Sequence, residues 1–308
     1  MNFRRRLNEL IISKVMLAAT AFSGLLVVAI GIALYLRARP LLISKPIADI
    51  LLGESWRPSA GEFGLKPFIV GTMWVTGLAT VIAVPLCILT AIYLAEYARA
   101  RVRSVIKSLI DILAGIPSVV YGAWAVLVVV PFIAGKLGPY TQTYFKHLPL
   151  LQTEYTTGFS ILAGGIVLAI MVSPAIISVA EEVLSAVPAD YRDASFAIGA
   201  TRLETVTRVV VKKALPGLVA AVVLGISRAL GETMAVLMVV GNVAASPKSI
   251  FDSAYPLPAL IANNYGEMMS IPMYDSALLC AALVLMALVL FFNMLARLIL
   301  VRSARGGV

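Results

Sequence analysis

Residues 68–95 read FIVGTMWVTGLATVIAVPLCILTAIYLA, without one Asp, Glu, Lys or Arg. A helix rises about 1.5 Å per residue, so about 20 apolar residues cross about 30 Å of hydrocarbon. This stretch is long enough to do so. Its apolar residues are continuous rather than alternating, which favours a helix over a barrel strand. Four further runs share the property: Val15–Leu36, Ile112–Gly135, Tyr155–Ala180 and Ser276–Ala296. A sixth, Ala214–Val243, is equally apolar apart from Arg228 and Glu232.

Composition agrees. Of 308 residues, 60% are hydrophobic and only 13% charged, whereas a soluble surface needs about a quarter charged. The expected fold class is an all-α membrane protein with six transmembrane helices, forming one domain over residues 1–308. The helices are expected at about 15–37, 68–97, 112–135, 155–181, 213–243 and 276–299. With the N-terminus inside, sixteen of the 25 Lys and Arg residues fall on the cytoplasmic side and eight outside, with Arg228 in a span. This asymmetry orients both termini to the cytoplasm. It also accounts for the net charge of +9 without a nucleic-acid partner. The first apolar run is too long for a signal-peptide core and lacks a small-residue cleavage site, so it reads as a retained helix. Pro85, Pro117, Pro131 and Pro174 read as kinks within spans.

The outer loops are 38–67, 136–154 and 244–275, and the long ones, 38–67 and 244–275, carry prolines and aromatics but few charges. They are either packed caps or docking surfaces. The cytoplasmic segment 184–212 carries its own helical pattern. Pro188 suits a first helical position, and Val187, Tyr191, Ala194 and Ile198 recur along one face. Gly199 is a stop signal, and Thr201-Arg202-Leu203-Glu204 is a capping box that restarts a second helix, with Leu203, Val206 and Val210 on one face. Two short helices turning at a glycine would present a knob to a partner, or lie in the membrane interface.

Arg228 falls near the middle of its span, where a charge costs about 2.5–3.5 kcal/mol on insertion scales. Glu232 is four residues on and stacks on the same face of a continuous helix, so an ion pair is expected. Ala221, Gly225, Gly231 and Ala235 lie near that face and allow close approach of a helix or a substrate. The pair is either a lock between helices or part of a path for an oxyanion, which a guanidinium fork suits. Two cysteines and one histidine, His147, give no basis for a metal site, a disulfide or a proton relay. No GxxxxGK[ST] stretch, Ser-His-Asp set or HExxH motif occurs. The chain therefore reads as non-catalytic, with no cofactor of its own; a secondary transporter and a membrane-embedded enzyme are the rival classes.

Several stretches carry a resemblance. Trp56-Arg57-Pro58, Phe63-Gly64, Gly71-Thr72, Glu96-Tyr97-Ala98, Leu113-Ala114-Gly115-Ile116-Pro117-Ser118 and Arg228-Ala229-Leu230-Gly231-Glu232-Thr233-Met234-Ala235 resemble the phosphate-specific (Pst) ABC permeases, most closely the C-type subunit. Asp193-Ala194-Ser195 and Gly199 match the first half of that family's ATPase-docking loop. The second half departs, with Val209 and Val211 for Ile and Leu, and Lys212 for proline. The resemblance implies a type I ABC importer permease fold in the cell (plasma or inner) membrane, as a multi-pass protein. It implies import of inorganic phosphate, with sulfate or molybdate as alternative cargo. The implied partners are an A-type permease subunit, two ATPase subunits holding ATP and Mg, an external phosphate-binding protein and membrane lipid. It assigns Arg228, Glu232 and Thr233 to the substrate path, and Asp190, Asp193, Ala194, Ala197, Gly199 and Ala200 to ATPase coupling.

Overall fold

The protein is described by a computed structural model that covers residues 3–144, 149–151, 157–267 and 271–305. His147 and the expected start of the fourth span at Tyr155 lie outside the described residues. Helix α1 (Phe3–Ser44) leads into α2 (Ile47–Leu52) and an antiparallel hairpin of β1 (Trp56–Arg57) and β2 (Glu62–Phe63). α3 (Lys66–Ile92) ends in a π turn, Tyr93–Tyr97. α4 (Ala100–Gly115), α5 (Ser118–Leu127), α6 (Val129–Phe132) and α7 (Gly138–Tyr144) follow. α8 (Ile161–Ser185) precedes α9 (Ala189–Ala197) and α10 (Arg202–Thr205), which runs through a π turn, Val206–Val210, into α11 (Val211–Gly231). α12 (Met234–Val239), α13 (Leu257–Asn264) and α14 (Tyr274–Arg305) complete the order.

Six helices among the described residues are long and apolar enough to cross a membrane: Ile11–Ser44, Lys66–Tyr97, Ser118–Tyr144, Ile161–Ser185, Arg202–Gly231 and Tyr274–Leu298. α3 and α8 form the most extensive helix pair, and α11 packs on α8, α14 and α3. Lipid offers no hydrophobic drive for this packing, so small residues and close backbone approach supply it. Ala79 and Ala83 of α3 and Ala163 and Ala169 of α8 share one buried cluster. Gly225 lets α11 approach α8 so closely that a Cβ there would stand 2.5 Å from Ile176 Cδ1. The small-residue stripe of the fifth span therefore meets a neighbouring helix of the same chain. Gly231 at its end faces open space.

The outer segments form a cap. Leu41, Ile50, Phe63, Phe68, Leu260 and Tyr274 bury one another. Trp56 sits edge-on to Phe63 and Phe68, with ring centroids 5.6 and 5.2 Å away, a favoured aromatic geometry. Tyr274 donates to Asn264 Oδ1 at 2.9 Å, and Asn264 Nδ2 donates to the Tyr255 hydroxyl at 2.7 Å. At the rim, Lys66 lies 2.6 Å from Glu54 and its hydrogen bond holds that carboxyl below the usual range. Segments 38–67 and 244–275 thus pack together as a cap.

Three boundaries depart from the sequence reading. The first helix extends through Pro40 to Ser44, so the expected loop at 38–67 begins as helix. The expected third helix at 112–135 is two elements: α4 stops at Gly115, and Pro117, with φ −59° and ψ 140°, caps α5 rather than kinking it. Proline disfavours helical backbone at the residue before it, and Ile116 is extended at ψ 128°. The third departure is a break in the fifth helix, expected to run unbroken over 213–243. Pro85 and Pro174 do stay inside α3 and α8.

Replacing Trp56 by alanine removes the edge-on contacts that join the hairpin to α3. We expect about 3 kcal/mol of destabilisation, read as a lowered thermal midpoint of the purified protein in detergent.

Candidate functional site

The fifth span breaks where the sequence reading has its ion pair. α11 ends at Gly231, Glu232 turns to φ −72° and ψ 128°, Thr233 to φ −112° and ψ −60°, and α12 begins at Met234. With the backbone extended at Glu232, the two side chains no longer stack one turn apart. Arg228 forms neither an ion pair nor a hydrogen bond among the described residues. The Arg228–Glu232 pair is thus corrected. Glu232 Oε1 instead accepts from Ala235 N at 3.3 Å, at the start of α12. Irregular backbone at membrane depth is tolerated only inside protein or beside a water-filled cavity. Here Glu232 lines a pocket of about 10 Å³ with Thr72 and Thr76 of α3, Leu168 of α8 and Ala229. Such a space holds about one water.

Arg228 itself is exposed on the surface of the chain, and Thr233 is half-buried. Neighbouring Ser227 donates to Asn293 Oδ1 at 2.8 Å, tying α11 to α14. Tyr121 of α5 lies within reach of the Arg228 charge, and its hydroxyl donates to Leu113 O at 2.8 Å across the α4–α5 corner. The arrangement is an exposed guanidinium, without a partner among the described residues, next to a helix break whose carboxylate accepts from Ala235 N.

At the end of the bundle where α9 lies, the chain makes an elbow. Gly199 has φ +87°, a left-handed backbone that glycine adopts without strain. Gly199 N donates to Phe196 O and Ala200 N to Ser195 O, at 2.9 and 3.2 Å, a Schellman stop. Thr201 then caps the next helix, its side chain accepting from Glu204 N while Glu204 Oε2 accepts from Thr201 N at 3.0 Å. Stop and restart fall where the sequence places them. The second helix is not short, however. It continues through the π turn into the fifth span, making one helix over Arg202–Gly231.

The apolar residues read along one face of α9 stand mostly outward. Val187 is buried, but Tyr191 and Ala194 are exposed and Ile198 is 86% exposed. The buried side chain of α9 is Ser195, whose hydroxyl lies 2.9 Å from that of Thr205 on α10. Of the second face, Val206 and Val210 are buried and Leu203 is exposed. The elbow therefore turns Tyr191, Phe196, Ile198 and Leu203 outward, beside the exposed Asp190, Asp193, Ala194 and Ala197, while Ala200 is half-buried at the bend.

Sequence reading missed the side chains that tie this elbow to the bundle. Arg192 Nη2 lies 2.5 Å from Glu96 Oε1 and its Nε lies 3.3 Å from Oε2. Arg202 donates to the carbonyl of Glu96, and its guanidinium lies 4.8 Å from the Tyr97 ring centre. Glu181, 1% exposed at the end of α8, takes Arg103 and Lys107 of α4, the latter at 2.6 Å. The available signal was a carboxylate directly after each of two apolar runs, Glu96 after one and Glu181-Glu182 after the other, since a buried charge needs a partner.

Residues 87–305 match the family described as "Binding-protein-dependent transport system inner membrane component". The chain belongs to that family. Both sites of this inner membrane component, Glu96 with the elbow and the Arg228 break, fall within the matched residues. It is 39% identical over 251 residues to the "Probable ABC transporter permease protein YqgH" of Bacillus subtilis, covering 81% of this chain and 76% of the relative. It is 35% identical to the "Phosphate transport system permease protein PstC" of Mesorhizobium japonicum, covering 84% and 80%. The PstC of Xylella fastidiosa is 34% identical, covering 94% of this chain and 89% of its own. Among solved structures, a chain of a bacterial alginate ABC transporter superposes with TM-score 0.54 at 16% identity, over 97% of this chain and 99% of the other. A chain of the MetNI methionine ABC transporter superposes with TM-score 0.52 at 20% identity, over 78% and 94%. The fold of this multi-pass membrane protein is thus that of ABC importer permeases, as expected.

With Arg228 and Glu232 unpaired, a double-mutant cycle of Arg228→Gln and Glu232→Gln should give a coupling energy within about 0.5 kcal/mol of zero. The thermal midpoints of the two single variants and the double variant measure it.

Proposed function

We propose that this chain is a permease subunit of an ATP-driven importer of inorganic phosphate, lining the pathway together with an A-type permease subunit. The observation that carries the reading is Arg228, a guanidinium without a partner among the described residues, at a broken span. A planar fork of donors suits the oxygens of phosphate. The PstC relatives support that cargo over other oxyanions. Glu232 and Thr233, at the break, belong to the same path. The short pocket behind Glu232 lets the break shift without opening a large void.

The elbow supplies the second part. Its outward Tyr191, Phe196, Ile198 and Leu203 form an apolar tip on a rigid bend, fitted to a groove on an ATPase subunit. Asp190, Asp193, Ala194, Ala197, Gly199 and Ala200 make the coupling surface around it. In this reading the elbow and both chain termini face the cytoplasm, and the cap of 38–67 and 244–275 receives an external phosphate-binding protein. Two ATPase subunits hold ATP and Mg and hydrolyse the nucleotide, so this chain is not itself an enzyme. Closure of the ATPase pair moves the elbow, and the movement reaches the break through the continuous helix Arg202–Gly231, which begins at the elbow.

Vesicles carrying the full complex and binding protein should take up labelled phosphate only with ATP, unaffected by excess sulfate. Arg228→Gln should lower uptake at least about tenfold, the cost of losing one charged hydrogen bond. Uptake without ATP would assign the chain to secondary transporters; normal uptake by well-expressed Arg228→Gln would remove that residue from the path. A cysteine at Ala197 should cross-link to the ATPase with an ATP-sensitive yield, and its absence would remove the elbow from coupling.

A further inference from the structure

α3 with its π turn is one helix of 32 residues, Lys66–Tyr97, about 48 Å long. One end enters the aromatic cap through Phe68. Thr72 and Thr76 line the pocket with Glu232. The other end carries Glu96, whose carboxylate side chain is 8% exposed. A carboxylate so placed needs compensating donors, and Arg192 of α9 supplies them through a two-pronged contact. The same guanidinium donates to Val187 O at 2.5 Å and Leu184 O at 3.1 Å, where α8 ends. From the other arm of the elbow, Arg202 grips the Glu96 carbonyl and covers Tyr97. The end of α3 is thus held by an arginine from each side of the bend, while α9 itself buries only Ser195.

We propose that Glu96 is a positioning residue that couples movement of the elbow to α3, and through α3 to the threonines beside Glu232. This rests on the importer reading above. A bidentate arginine–carboxylate contact fixes direction as well as distance, so displacement of α9 in either sense carries the end of α3 with it. Apolar contacts would slide. The helix Arg202–Gly231 and α3 then both run from the elbow to the break, the first ending at Gly231 and the second lining the pocket with Glu232.

The test uses the complete complex with its binding protein in vesicles, with ATP hydrolysis and phosphate uptake measured on the same sample. Glu96→Gln should hydrolyse ATP while its uptake per ATP falls about tenfold, the loss expected for one charge-assisted contact. Arg192→Lys keeps the charge but not the fork, and should show a smaller fall in the same ratio. The exchange Glu96→Arg with Arg192→Glu should recover part of it, which a general loss of stability would not allow. An unchanged ratio in an intact Glu96→Gln complex overturns the proposal. So does failure of Glu96→Gln and Arg192→Lys alike to assemble, which would make the contact a structural brace. A wild-type complex with no ATP-driven uptake brings down the importer reading, and the proposal with it; wild-type uptake with an unchanged variant ratio brings down the proposal alone.

Discussion

The close contact of α3 with α8 is what the rest of the structure hangs on. Two helices in lipid gain nothing from hiding apolar surface, so they hold together by van der Waals fit and scattered hydrogen bonds. Alanines at 79, 83, 163 and 169 and glycine at 165, where a Cβ would stand 2.8 Å from Leu78 Cδ2, bring the backbones near enough. α11 then lies against α8 through Gly225, and α12 crosses α5 at Gly122, where Met238 leaves no room for a larger residue. Because the interior is filled this way, the chain can leave helical geometry at Glu232 with one side against packed protein, while Gly231 faces open space.

Electrostatics at the elbow end follow a second rule. Arg103, Lys107, Arg192 and Arg202 are all committed to the two carboxylate-bearing helix ends at Glu181 and Glu96. The basic partners are partly exposed but the carboxylates are buried, so loss of a partner leaves an uncompensated charge. What these contacts fix is the relative placement of α3, α4, α8, α9 and α10, which share no continuous apolar core there beyond a cluster around Leu184 and Val210.

Much of this was legible in the sequence, and the failures have physical causes. Lengths of uncharged sequence gave six spans because lipid leaves no other solution. Gly199 and Thr201 were read correctly because stops and caps are local chemistry. Pro117 and Gly231 were misread as interior residues, since apolarity continues across both breaks and only backbone geometry separates the pieces. The periodicity at Val187, Tyr191, Ala194 and Ile198 marks a face but not which way it turns, and here Ser195 is buried while Ile198 is exposed. Arg192 and Glu96 are 96 residues apart, a pairing that no spacing rule reveals. Of the candidate site, the residue types at 228, 232 and 233 were legible, but not that the first two are apart.

The Schellman stop and the capping box lie back to back at Ser195–Glu204. Their hydrogen bonds are all made within ten residues of chain, with the Ser195–Thr205 hydroxyl contact closing the bend. The shape of the elbow is therefore settled during folding. A protein that docks there meets a surface already ordered, and association carries little cost of arranging backbone. Such a surface can be engaged and released without the bend itself unfolding.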